Sequence, residues 1–234
     1  LYASQPIPSS VAHLLCKYPI LIVPIIIGTT FIPVGEDCCQ PGMISFVFWN
    51  GDDSAYKYGM PILEKYAYKG SVFVSTSQIG SPGYLTNDHL QVLNGYNWEI
   101  GTHGIDLGSV AANEPSEAKI ALQSLSISPL IFATKAVNEE VRLNYMGNLR
   151  IDYRGMNSIP VENRYAIKTI EVVRTTSPEE IKDWIDTAAN EQKWLVLVFY
   201  QLDKPGDLSW TPADFESIVA YARSKEAYQV NLSA

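Results

Sequence analysis

Ile44-Ser45-Phe46-Val47-Phe48-Trp49-Asn50-Gly51-Asp52-Asp53 is a short run of β-branched and aromatic residues that ends in a polar turn. An apolar-spaced segment through Met60-Pro61-Ile62-Leu63 follows it. A buried strand that delivers a polar turn and then a helix is the unit on which α/β folds place chemistry. A second piece repeats the plan, because Trp98-Glu99-Ile100-Gly101 leads into Thr102-His103-Gly104-Ile105-Asp106-Leu107. The two polar ends are expected to meet.

Downstream of these pieces, strand and helix signals alternate. Residues 61–66 read as a helix with Pro61 in its first turn and Gly70 ending it, and 71–75 as a strand. Thr86 is an N-cap for a helix to about Leu93, closed by Asn94-Gly95; His89 reads as a surface or capping residue, as does His13. Helices are expected from Glu114 to about Leu125, over 138–145, from Ser177 to about Asn190, and from Thr211 to about Lys225. Ser177-Pro178-Glu179-Glu180 carries a capping Ser, Pro at the first helical position and Glu at the third. Strands are expected over 129–132, 165–173, 194–199 and 228–232. This order is the βαβ signature of a parallel sheet or barrel.

The 234 residues suit one such barrel with a short extension, and 47% hydrophobic residues supply a large core. With 25 acids against 17 bases the net charge is −8, and no Lys/Arg cluster or RNA-binding signature is present, which argues against nucleic-acid partners. Fourteen Tyr and five Trp serve either barrel core or sugar stacking, and core is the commoner use.

Cys16, Cys38 and Cys39 lack zinc or redox spacing. A bridge from Cys16 to Cys38 or Cys39 would staple the N-terminal segment and suit an extracellular setting. Residues 18–35 carry no charge, which raises a membrane span, but Pro19, Pro24 and Pro33 break any long helix. Buried strands are the preferred reading there, with membrane association not favoured. Leu1 in place of an initiator Met suggests a processed or partial product.

The two polar strand ends resemble the motifs of the NodB-homology polysaccharide deacetylases, carbohydrate esterase family four. That family's first motif reads T-F-D-D-G with P-I-L about eleven residues on; here Val47-Phe48-Trp49-Asn50-Gly51 and Pro61-Ile62-Leu63 fall in register. Its second motif, H-x-x-x-H after E-I-G-S, is matched by Glu99-Ile100-Gly101-Thr102-His103 until Leu107 stands in the second His position. The R-x-P-Y-G-type motif is replaced by Ala133-Thr134-Lys135-Ala136, and the last motif's acid His by Tyr200.

The resemblance implies a distorted (β/α) barrel of the polysaccharide deacetylase type over 43–234, preceded by an apolar, Cys-containing extension over 1–42. It places Trp49 where the family has its catalytic base and Asn50 where it has a metal ligand, and leaves His103 as the one surviving family metal ligand. Trp cannot accept a proton, and Asn is a poorer ligand than carboxylate for a divalent ion. Tyr is a weaker acid than imidazolium near neutrality. The implied function is a deacetylase-like domain without metal-dependent deacetylation, needing no cofactor and acting as a glycan-binding or structural module outside the cell or in its envelope. Trp49, Thr134, Lys135 and Tyr200 would line its groove, with Trp49 and Tyr200 either stacking on a carbohydrate polymer or plugging the old cavity. The alternative is an active deacetylase of N- or O-acetyl groups, holding zinc, cobalt or nickel at a relocated site of Asp52 or Asp53, His103 and Asp106. In the competing structural reading Asp53 caps the next segment and Asp106 is a solvated loop acid.

Overall fold

The computed structural model describes residues 42–105, 114–225 and 227–233. The three cysteines, the uncharged run 18–35, Asp106 and Leu107 lie outside the described residues.

Seven strands, β1 (Met43–Phe48), β2 (Gly70–Ser75), β3 (Glu99–Gly104), β4 (Ile131–Ala133), β5 (Gly147–Arg154), β6 (Ile167–Val172) and β7 (Trp194–Phe199), pair in that order, all parallel. β7 returns to β1 along its whole length, from Met43↔Trp194 to Phe48↔Phe199, so the sheet closes into a barrel. Two-residue alternation sorts the side chains. Val47, Phe73, Ile131, Leu149, Val196 and Val198 fill the interior. Phe46, Phe48, Val72, Val74, Leu197 and Phe199 point outward and join the larger cluster beneath the helices.

Six α-helices follow the strands: α1 (Met60–Lys65), α2 (Asn87–Gly95), α3 (Glu114–Gln123), α4 (Glu139–Asn144), α5 (Pro178–Glu191) and α6 (Pro212–Ser224). The side chains of Thr86, Asn138, Ser177 and Thr211 each accept an amide at the start of their helix, and His89 and Glu180 complete capping boxes.

Four local expectations need correction. Gly70 opens β2 instead of ending the preceding helix, because a Cβ there would lie 2.5 Å from the Trp98 ring. The final strand β10 is confined to Tyr228–Gln229. Asp53 heads the segment after it through its carbonyl, which accepts the Tyr56 and Lys57 amides at 3.1 and 3.0 Å, and not through a side-chain cap, since its carboxylate pairs with Lys204. β5 was not anticipated: Arg150, Asp152 and Arg154 alternate with its apolar residues, and only its first half is fully buried. β5 stays in register with β6 through Arg150↔Lys168, then bulges before Arg154↔Thr169.

No helix separates β5 from β6. Instead Asn157 bridges to Trp194 through two backbone bonds of 2.9 and 3.0 Å, while its side chain bonds both polar backbone groups of Lys168. Ile159 and Val161 beyond it pack against the barrel interior cluster. After β7, β8 (Gln201–Leu202) pairs with β9 (Ser209–Trp210) as a side ribbon. On its other edge β1 has two partners in turn, β10 at Met43 and Ile44 and β2 from Phe46 to Phe48.

Candidate functional site

Strand alternation and packing bring Trp49, His103, Ala133, Ile151, Glu171 and Tyr200, from six strands or the residues just after them, to the C-terminal mouth of the barrel. Trp49 extends the β1 ladder by donating its amide to Phe199 O at 2.8 Å. Its ring stacks on Phe73 (5.6 Å between centroids, 25°) and on His103 (4.9 Å, 24°). Trp49 is 8% exposed and His103 7%, so the indole lies as a lid over the imidazole.

Burial holds His103 neutral down to about pH 4; a bond to its own backbone and the nearby Glu114 charge oppose that shift but do not cancel it. Glu114 is buried, and its Oε1 accepts the Ile105 amide at 2.6 Å. Gly104, at φ +119°, lets that carboxylate approach, because a Cβ there would collide with Glu114 Oε1. Glu114 reads in the sequence only as the start of a helix.

The turn after Trp49 is left-handed at both Asn50 (φ 65°) and Gly51 (φ 67°). Asn50 Oδ1 and His103 Nε2 are both buried without a hydrogen-bond partner. These are two of the positions at which the resemblance places metal ligands. Both are neutral donors. Among the described residues no group of three His, Cys, Asp or Glu side chains is placed to hold a metal ion. Two uncharged donors, one of them covered by an indole, do not fit the Asp-His-His site that the resemblance implies.

Asp52 and Asp53 are engaged elsewhere. Lys204 Nζ lies 2.6 Å from Asp52 Oδ2 and 2.8 Å from Asp53 Oδ1. Gln201 Nε2 also donates to Asp52 Oδ2 at 3.2 Å, and the Ser54 amide to Oδ1 at 3.0 Å. The two acids anchor the loop after β1 to the segment after β7; Asp106, the third member of the relocated set, lies outside the described residues.

Tyr200 is half-buried and donates its hydroxyl to Glu171 Oε2 at 2.8 Å. Burial, reinforced by the Glu171 carboxylate, raises the phenol far above its ordinary value, so it is a poor proton donor. Glu171 also lines a side pocket of about 420 Å³ where β5 bulges from β6, together with Arg154, Thr169 and Trp184. Thr134 is held by Asn148, whose Oδ1 accepts its amide at 2.9 Å and whose Nδ2 donates to its carbonyl at 3.0 Å; Lys135 is exposed beside it. Glu171 and Lys204 were missed in the sequence, where each is one charge among many until the topology supplies its partner.

No family model matches the sequence, and no curated protein matches it. Solved structures do match the fold. A polysaccharide deacetylase from Bacillus cereus aligns with a TM-score of 0.52 and 12% identity over 58% of this chain and 49% of its own. The Xyl-CE4 domain of a multidomain xylanase from the hindgut metagenome of Trinervitermes trinervoides aligns at 0.51 and 16%, over 82% and 87%. A CE4 family pseudoenzyme from Bacillus anthracis aligns at 0.53 and 10%, over 81% and 63%; a mutant of it has restored enzymatic activity. This chain thus spans about half the length of the Bacillus cereus protein. The barrel is that of the carbohydrate esterase family four deacetylases, the NodB-type fold.

Proposed function

We propose that this domain is a polysaccharide deacetylase fold without metal-dependent hydrolysis, serving as a glycan-binding or structural module outside the cell or in its envelope. The observation that carries the reading is the stack of Trp49 on His103: an indole closes the barrel mouth over the one imidazole that matches a family ligand. Fold alone does not decide activity. The chemistry of the mouth supports the reading: among the described residues no Asp or Glu completes a set of three ligands with His103, the Tyr200 phenol is held by Glu171, and Asp52 and Asp53 share the Lys204 cation. The existence of a pseudoenzyme on the same fold supports the reading.

Calorimetric titration of the metal-stripped protein with zinc, beside His103→Ala, tests it. The expected result is no stoichiometric binding tighter than about millimolar, and no acetate release from acetylated chitin or xylan oligomers with zinc, cobalt or nickel present. Micromolar binding abolished in His103→Ala, with metal-dependent acetate release, would overturn it.

A further inference from the structure

The loop after β1 does more than seal the barrel. It continues into one π-helical turn, Ala55–Gly59, a rare geometry that recurs at functional sites. The turn is held from several directions. Asp53 donates its amide to Gly83 O at 3.1 Å, Leu85 donates to Gly51 O at 2.8 Å, and Ser54 Oγ accepts the Leu202 amide at 2.9 Å. Lys204 clamps Asp52 and Asp53 together. Tyr56, the second residue of the turn, lies nearly parallel to the His89 ring, 4.3 Å between centroids at 14°. His89 is itself fixed, because it completes the capping box of α2 with Thr86. Tyr56 is therefore a rigid aromatic platform.

Along α2, His89, Val92 and Tyr96 recur at i, i+3 and i+7, which places them on one face. That face looks across an open groove of about 680 Å³ at Met60, Pro61 and Glu64 of α1. Tyr96 is 51% exposed and Val92 37%, with Lys69 Nζ 5.7 Å from the Tyr96 ring centroid. Asp53, Lys57 and Glu64 line the same groove; Lys204 holds one oxygen of Asp53, and Lys69 Nζ and Trp98 Nε1 hold Glu64 at 2.6 and 3.2 Å, which fixes both carboxylates in place. At 1.5 Å per residue, the His89 and Tyr96 ends lie about 10 Å apart, a span that accommodates roughly two pyranose rings. None of this belongs to the barrel mouth.

We infer that the α1–α2 groove is a glycan-binding site for a neutral oligosaccharide, with Tyr56 and Tyr96 as stacking platforms and Lys57, with the remaining lone pairs of Asp53 and Glu64, bonding hydroxyls. The chemistry favours sugar over an apolar helical peptide. Flat rings at two ends, separated by charged hydrogen-bonding groups of both signs, match a ligand whose faces are apolar and whose rim is hydroxylated. A peptide helix asks instead for a continuous apolar floor. The inference rests on the glycan-binding form of the proposed function and moves the ligand from the barrel mouth to an outer groove.

The experiment is calorimetric titration of the full chain with chitotetraose, cellotetraose and xylotetraose, repeated on Tyr96→Ala, Tyr56→Ala and the control Leu143→Ala, whose side chain is 76% exposed on α4. Binding of at least one sugar is expected, weakened about tenfold in Tyr96→Ala and unchanged in the control. Tyr96 is exposed, so its removal leaves the fold intact, and the circular dichroism melt checks this. Sugar binding undiminished in Tyr96→Ala would overturn the groove while leaving the glycan-binding function standing. No binding of any of the three sugars would also overturn it and leave a structural module. Zinc-dependent acetate release alongside a Tyr96-dependent affinity would instead sink the loss of catalysis and keep the groove.

Discussion

Acidification from pH 7 to pH 4 should destabilise this domain through His103. In the folded state burial under Trp49 holds the imidazole pKa near 4, whereas in the unfolded chain it returns to about 6.5. As the pH falls, the unfolded chain takes up the proton first, so protons favour unfolding. The contribution is fully present above pH 6.5, is lost progressively between 6.5 and 4, and changes no further below 4. The gap corresponds to about 3 kcal/mol, a large share of a typical domain's stability. Glu99 acts in the opposite sense: burial raises its carboxyl above the usual range, so protonation on acidification favours the fold. Comparison with His103→Phe isolates the imidazole, because every carboxylate is common to both proteins. Phe preserves a ring against Trp49 and removes the unpartnered Nε2, so at pH 7.5 it should match the parent within about 1 kcal/mol. Urea denaturation followed by circular dichroism at pH 7.5, 6.5, 5.5 and 4.5 provides the assay. The parent should lose about 2.5 kcal/mol more than His103→Phe between pH 7.5 and 4.5, most of the full effect. Parallel stability curves, or an NMR titration midpoint for His103 near 6.5, would refute the burial argument.

Trp49→Ala opens the lid; it should cost about 3 kcal/mol and move the His103 midpoint toward 6.5, both readable in one NMR and urea series. Glu99→Gln replaces a buried acid whose Oε1 has no partner, and should raise the melting temperature at pH 7 while erasing the opposing acid effect. Lys204→Met strips the cation from Asp52, which keeps only the Ser54 amide and Gln201; a loss of about 2 kcal/mol in urea melts is expected. Rebuilding the family positions together, as Trp49→Asp, Asn50→Asp and Leu107→His, should raise zinc affinity above the parent's, measured by the same calorimetry.

Much of the barrel was legible because its signals are local. Ser177, Thr86 and Thr211 announce their helices within four residues, and the uninterrupted apolar run of β7 needs no partner to be recognised. β5 was hidden because its outer half bulges from the β6 register and is rich in charge, so its composition does not read as a barrel strand despite the alternation. At the mouth, Trp49 and His103 could be placed by motif register, but their mutual stacking depends on β1 and β3 being brought together across β2. The pairing of Lys204 with Asp52 joins the two ends of the barrel sequence, and nothing local selects that lysine over any other. Tyr56 and Tyr96 were two aromatics among fourteen tyrosines, read collectively as core. The π-helical turn carries Tyr56, and the C-terminal end of α2 carries Tyr96, to the lining of one outer groove.

The two-partner edge of β1 bears on how the chain comes to be folded. β1 is the first barrel strand to emerge in synthesis, yet β7 follows about 150 residues later. β2 satisfies only the upper half of its other edge, and the lower half waits for Tyr228 and Gln229. Until then no other described residue pairs with that edge at Met43 and Ile44, and unpaired backbone on an apolar strand is the kind of surface that captures other nascent chains. Closure is therefore a late event held by contacts between distant parts of the sequence. Shortening the chain before Tyr228 would leave that template open and turn a folding problem into a solubility problem.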